Sequence, residues 1–151
     1  MRGQGASEYL VLLAVVLIVA LIAIVLLGGF SGTGAAAMDN EVKSYWALAS
    51  PFGITQWVQI NNTIYMSVIN RGPNQLVMRS VKVGPATANL GAGWSWKPGG
   101  EKNMSIGNLT NCTKGMYDAF AYNVTFTYDS FDLPSQSQSG SKPLAGNCVF
   151  P

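Results

Sequence analysis

The sequence predicts an α+β protein, a long N-terminal hydrophobic α-helix followed by a C-terminal antiparallel β-sandwich, and two observations carry that expectation. Tyr9 to Leu27 is an unbroken run of nineteen residues without charge, Pro or Gly. From about Phe52 onward the pattern changes to short β-rich runs separated by Gly, Pro and Asn. The composition agrees: 48% of the 151 residues are hydrophobic and only 11% charged, and the mean hydropathy is +0.22. That fits one small domain with an apolar appendage.

At the helical rise the apolar run would extend roughly 28 Å, close to the thickness of a bilayer's hydrocarbon core. Its β-branched content would suit a strand, but lipid satisfies no open strand edge, so a transmembrane helix is the expectation. Arg2 precedes the run and no basic cluster follows it closely, which places the N-terminus in the cytoplasm and the remainder outside. A secretory signal peptide is the first alternative, although its apolar core is usually about 7 to 15 residues. A plain single-span anchor is the second.

Neither alternative accounts for Arg2-Gly3-Gln4-Gly5-Ala6-Ser7-Glu8-Tyr9-Leu10. Glu8 stands at the lip of the apolar run, where a carboxylate is costly to bury without a partner. Here the chain resembles the archaeal type IV pilins with a class III signal peptide, marked by a Gln-x-Ser-x-Glu-Tyr-like element directly before the apolar helix. Gln4-Gly5-Ala6-Ser7-Glu8-Tyr9 looks like that element with one additional spacing residue.

The resemblance implies cleavage between Gly3 and Gln4 by a membrane prepilin peptidase, so that 1–3 is a leader peptide and Glu8 becomes the fifth mature residue. It further implies that the helix is retained and packs with other copies in a filament core, giving a lollipop-shaped subunit. The leader, Met1-Arg2-Gly3, is shorter and less basic than is usual in that family.

Gly28-Gly29-Phe30-Ser31-Gly32-Thr33-Gly34 interrupts the apolar run, and each glycine weakens a helix by roughly 1 kcal/mol relative to Ala. A bend, a melted stretch or a tight packing site are the three readings. Helical signals resume at Ala35, and Met38, Val42, Tyr45 and Ala49 recur on one face with Trp46 beside them. This stripe is expected to dock on the following domain, with Asp39 and Lys43 paired on the polar side. Pro51 ends the segment, so the helical region is 4–50 and the head 51–151.

In the head, Phe120 to Tyr128 alternates aromatic or apolar residues with Ala, Asn and Thr, which predicts one strand with a buried and a solvated face and Asn123 outward. Ile54 to Ile60 and Thr63 to Asn70 form a candidate hairpin about Asn61-Asn62, and Gln75 to Val83 follows the turn at Arg71-Gly72-Pro73-Asn74. Signals from Gly84 to Gly107 are poor apart from a short strand at Lys102 to Ile106. Trp94 and Trp96 in that stretch suit core packing better than a ligand platform. Ser135 to Ser141 reads as a polar low-complexity loop. About a hundred residues with several short strands suit an immunoglobulin-like sandwich, and the family resemblance implies much the same head.

Cys112 and Cys148 are the only cysteines. In an exported head they are expected to form a disulfide contributing about 4 kcal/mol on the loop-entropy model. Two free thiols are the alternative, since spacing does not establish geometry. Five N-glycosylation acceptor motifs begin at Asn61, Asn103, Asn108, Asn111 and Asn123. Asn111 is the weakest because its middle residue is Cys112; the bland reading of all five is that Asn and Thr suit turns and strand surfaces.

The chain has no His and a net charge of +2, which leaves no histidine-based acid/base or metal chemistry and little attraction for nucleic acid. Asp118, Asp129 and Asp132 have no metal-loop spacing and suit turns. The expectation is therefore no enzyme and no cofactor. It is a structural subunit of a surface pilus, a helical homo-oligomer held in the cytoplasmic membrane before assembly, partnered by the peptidase, the assembly machinery and N-linked glycans. The resemblance implies cell adhesion as its use. An archaellum subunit and a membrane-anchored extracellular binding protein are the alternatives.

Overall fold

In the computed structural model the described backbone covers residues 4–26, 31–113 and 119–150, and side chains are described for 8–23, 39–113 and 119–150. Helix α1 is Gln4–Leu26 and helix α2 is Ser31–Leu48. Ten strands follow: β1 Phe52–Ile60, β2 Thr63–Asn70, β3 Leu76–Val83, β4 Ala86–Asn89, β5 Ser95–Trp96, β6 Glu101–Ile106, β7 Ala119–Tyr122, β8 Val124–Asp129, β9 Gln136–Ser139 and β10 Leu144–Val149.

The fold-class expectation is corrected here. Among the described residues the protein is mostly β, with ten strands in two sheets and two helices, rather than an α+β chain dominated by one long apolar helix. Among the described residues no helix is long and apolar enough to cross a membrane, which overturns the transmembrane expectation. α2 begins at Ser31, not at Ala35. Gly28 and Gly29 lie outside the described residues.

Contacts divide the chain into two compact units, 1–38 and 39–151, so the last turns of α2 belong with the strands. Val42 and Trp46 are buried there, and Tyr45 and Ala49 pack against the same core. Asp39 and Lys43 pair at 2.6 Å on the exposed side.

The first sheet has the order β6-β2-β1-β10-β7, and the second β4-β3-β8-β9 with β5 paired to β3. All pairings are antiparallel except β1 with β10, which run parallel at Gln59–Cys148 and Ile60–Val149. A purely antiparallel sandwich is therefore also corrected. Between the sheets lie Phe52, Ile54, Val68, Met78, Val81, Trp96, Phe126 and Leu144, every one fully buried. Each such side chain contributes about 1.5 to 3 kcal/mol by leaving water.

The run expected as one strand over Phe120 to Tyr128 is two strands in different sheets. β7 pairs with β10 and β8 with β3, and Asn123 forms the crossing. Inward alternation survives it: Phe120, Val124, Phe126 and Tyr128 are buried while Asn123 is exposed. The Asn123 carbonyl accepts from Gly84 N at 2.9 Å. Gly84 has φ +52°, and a Cβ there would lie 2.6 Å from the Tyr122 ring, so this corner requires glycine.

Ser135 to Ser141 contains the edge strand β9 rather than only a loop. Gln and Ser alternate there, and Gln136 and Gln138 face partly inward while Ser137 and Ser139 face water. Uncharged polar residues give no hydrophobic period to read, although the backbone still pairs with β8.

Candidate functional site

Of the predicted cleavage pair, Gly3 lies outside the described residues and Gln4 opens α1. Glu8 is exposed on α1. The residues after it are apolar and exposed on every side of the helix, from 46% at Leu13 to 66% at Tyr9 and Val16. A helix that is apolar all round lacks the one-sided stripe that packs against a single surface.

Cys112 and Cys148 form a disulfide with Cα atoms 6.0 Å apart. The backbone around it is anchored independently, since Cys112 N donates to Asn61 O at 3.0 Å. Buried Gln59 donates from Nε2 to Asn61 O at 2.9 Å and to Thr110 O at 2.7 Å. The bridge fixes the segment after β6 to β10, and the hydrogen bonds fix it to β1 and the β1–β2 turn.

All five sequon asparagines are exposed. Asn61 and Asn108 have φ of 53° and 63°, the left-handed backbone that Asn tolerates in turns. Asn111 adjoins the disulfide, Asn123 lies at the sheet crossing, and Asn103 stands on edge strand β6. Leu109 N donates to Asn62 O and Cys112 N to Asn61 O, which sets the Asn108 and Asn111 segment against the Asn61 turn.

The outer face of the first sheet carries an open depression of about 480 Å³ that sequence reading missed. Cross-strand register places Ser105 opposite Tyr65 and Asn103 opposite Ser67. Gln56 and Val58 on β1 complete the lining used below. Tyr65 is 47% exposed. The available signal was alternation in β2, where Ile64, Met66 and Val68 point inward and leave Tyr65 and Ser67 outward.

Beside it, the exposed Glu101 carboxylate accepts hydrogen bonds from Ser67 Oγ at 2.6 Å and from Thr55 Oγ1. These two hydroxyls hold its pKa below the usual carboxylate range, burial opposes them, and the Arg71 charge adds a lesser lowering. Asp129 is lowered as well, first by the Ser135 backbone N–H at 2.8 Å and then by Arg79, with which it forms an ion pair.

Trp96 belongs to the core and Trp94 packs against it, partly buried. Trp96 is fully buried and donates from Nε1 to Val68 O at 3.1 Å, while the Lys102 ammonium lies 5.0 Å from its ring centroid. Of the three aspartates, Asp118 lies outside the described residues, Asp129 pairs with Arg79 and Asp132 is exposed. Among the described residues no three metal-ligating side chains come together.

The turn read from the sequence at Asp129 to Asp132 is present after β8. Ser130 N and Oγ both donate to Leu133 O, and Leu133 N donates back to Ser130 Oγ at 3.2 Å. This turn presents Phe131 with 92% exposure.

Compared with known proteins, the chain matches no protein-family model and no curated protein.

Proposed function

We propose that this protein is a structural subunit of an extracellular filament of the archaeal type IV pilus kind, built by packing α1 of many copies together with the β-domain outermost. The observation that carries the reading is α1 itself, whose apolar side chains over 9–22 are exposed around the whole helix. Such a surface needs other copies or lipid to cover it. The head has a hydrophobic core of its own.

The motif Gln4 to Tyr9 supports processing by a prepilin peptidase and handling by pilus assembly machinery. The finished filament acts at the cell surface in adhesion. The exposed sequons are where N-linked glycans would coat it.

The test is electron microscopy of filaments sheared from producing cells, with mass spectrometry of their subunits. Filaments made mainly of this chain, starting at Gln4, support the reading. Recovery of the chain only as a membrane-anchored monomer would replace it with the binding-protein alternative. Co-assembly with a rotary motor would assign an archaellum instead.

A further inference from the structure

We propose that Asn103 is the attachment point of an N-linked oligosaccharide whose first sugar lies in the depression beside it, resting on the Tyr65 ring. The proposal rests on export of the head, which it shares with the filament reading, and on an observation separate from filament formation: the geometry around Asn103.

Of the five sequon asparagines, only Asn103 lines the depression. On β6 its partner in register is Ser67, and the next outward residue, Ser105, is opposite Tyr65. Asn103 and Tyr65 are therefore diagonal neighbours on one face, a spacing of about 7 to 8 Å that aromatic side chains bridge. A pyranose ring on Asn103 Nδ2 has the reach to cover the Tyr65 ring.

The chemistry of the lining fits a sugar. Sugars present an apolar C–H face and a rim of hydroxyls. Tyr65 supplies an exposed aromatic surface for the former, while Gln56, Ser67 and Ser105 surround it with donors and acceptors for the latter. No charged side chain is among the lining residues.

Access also favours this site. β6 is the end strand of its sheet, so among the described residues no strand pairs with its far side. Asn103 and Ser105, the acceptor and the hydroxyl residue of the sequon, are both exposed. In the transfer, Asn103 Nδ2 bonds to the anomeric carbon of a lipid-phosphate-linked oligosaccharide. The bond from that carbon to the phosphate oxygen breaks, the lipid phosphate leaves, and the amide gives up one proton.

The experiment expresses the full chain in a host with an oligosaccharyltransferase and reads occupancy by glycopeptide mass spectrometry. The thermal midpoint is then compared for the parent, Asn103→Gln, Ser105→Ala, Tyr65→Ala and the Tyr65→Ala double variants. Asn103 should be occupied, and either sequon change should lower the midpoint by roughly 3 °C. In the Tyr65→Ala background the same changes should have almost no effect. Tyr65 is exposed, so that variant folds, and Ser105→Ala removes the sugar while keeping Asn103.

Sugar on other sequons with Asn103 bare would overturn the proposal and leave export standing. Sugar on Asn103 with the same midpoint loss in both backgrounds would overturn the contact with Tyr65. Bare asparagines throughout would overturn it together with the glycoprotein reading. Failure to find filaments alongside an occupied, Tyr65-dependent Asn103 would count against the filament alone.

Discussion

The Gln138 side-chain amide closes both backbone groups of Phe52, accepting from Phe52 N and donating to Phe52 O at 2.8 Å each, across 86 residues of sequence. Gln138 belongs to β9 of the second sheet and Phe52 begins β1 of the first. One side chain thereby acts as a strand partner and ties the sheets where no ladder joins them.

Gln138→Leu should destabilise the head by about 1 to 3 kcal/mol, because the Phe52 backbone would lose its partners in a place with limited access to water. Urea unfolding followed by tryptophan fluorescence measures this. A loss below a few tenths would mean that water replaces the amide fully.

Gly140 and Trp46 are fitted to each other: a Cβ on Gly140 would lie 2.3 Å from the indole. Gly140→Ala should cost about 1 to 3 kcal/mol through overpacking. Adding Trp46→Phe, which shortens the ring, should restore part of that loss in a double-mutant cycle. Purely additive effects would show that the indole moves aside without strain.

Glu101 is bound to Ser67 and Thr55 hydroxyls, so its folded-state pKa is lowered. Its contribution is therefore present above the unfolded carboxylate pKa and lost as pH falls through the folded value. Glu101→Gln should lower the thermal midpoint at neutral pH, and the gap should close as both proteins are acidified. A gap independent of pH would contradict the assignment. Asp129 acts in the same direction, so acid sensitivity should persist in part in the variant.

Phe131 and Phe126 should differ sharply. Phe131 is 92% exposed and Phe126 fully buried, so Phe131→Ser should stay within about 0.5 kcal/mol of the parent, and Phe126→Ala should lose about 3 to 5 kcal/mol. Chemical denaturation of both variants decides it, and a large effect at Phe131 would show that the loop packs on something.

On the filament reading, Glu8 should be needed for assembly. With Gln4 as the mature N-terminus, its ammonium on one helix can pair with Glu8 on a neighbour, where an unpaired charge among apolar side chains costs several kcal/mol. Glu8→Gln should be processed normally yet yield few filaments by electron microscopy. Normal yield with unchanged subunit register would remove that role.

Legibility in the sequence followed the kind of signal each segment carried. β2, Thr63–Asn70, was readable to its ends because apolar residues alternate between an Asn-Asn turn and an Arg-Gly-Pro-Asn turn. The Cys112–Cys148 bridge was readable because no other partner exists for either thiol. The division at Asn123 was hidden because alternation continues unbroken across a change of sheet, and periodicity records facing rather than pairing.

The parallel pairing of β1 with β10 was equally hidden, since strand neighbours far apart in sequence leave no local mark. The class assignment erred for a related reason. Hydropathy gives weight to α1, while β4, β5 and β9 are short or polar and contribute strands without contributing signal. At the candidate site, the sequons could be read from three residues each. Their grouping with Tyr65 needed the β2–β6 register.

The position of β10 sets an order of events during protein synthesis. It lies between β1 and β7, and a ribosome releases β1 long before it releases β10. During that interval β7 has emerged without its only sheet neighbour, and Cys112 without the thiol it will bond. The first sheet is therefore completed late, by a pairing that joins the head's first strand to its last described one. A nascent chain stopped short of Leu144 would hold most of its apolar residues but lack the strand that pairs with both β1 and β7.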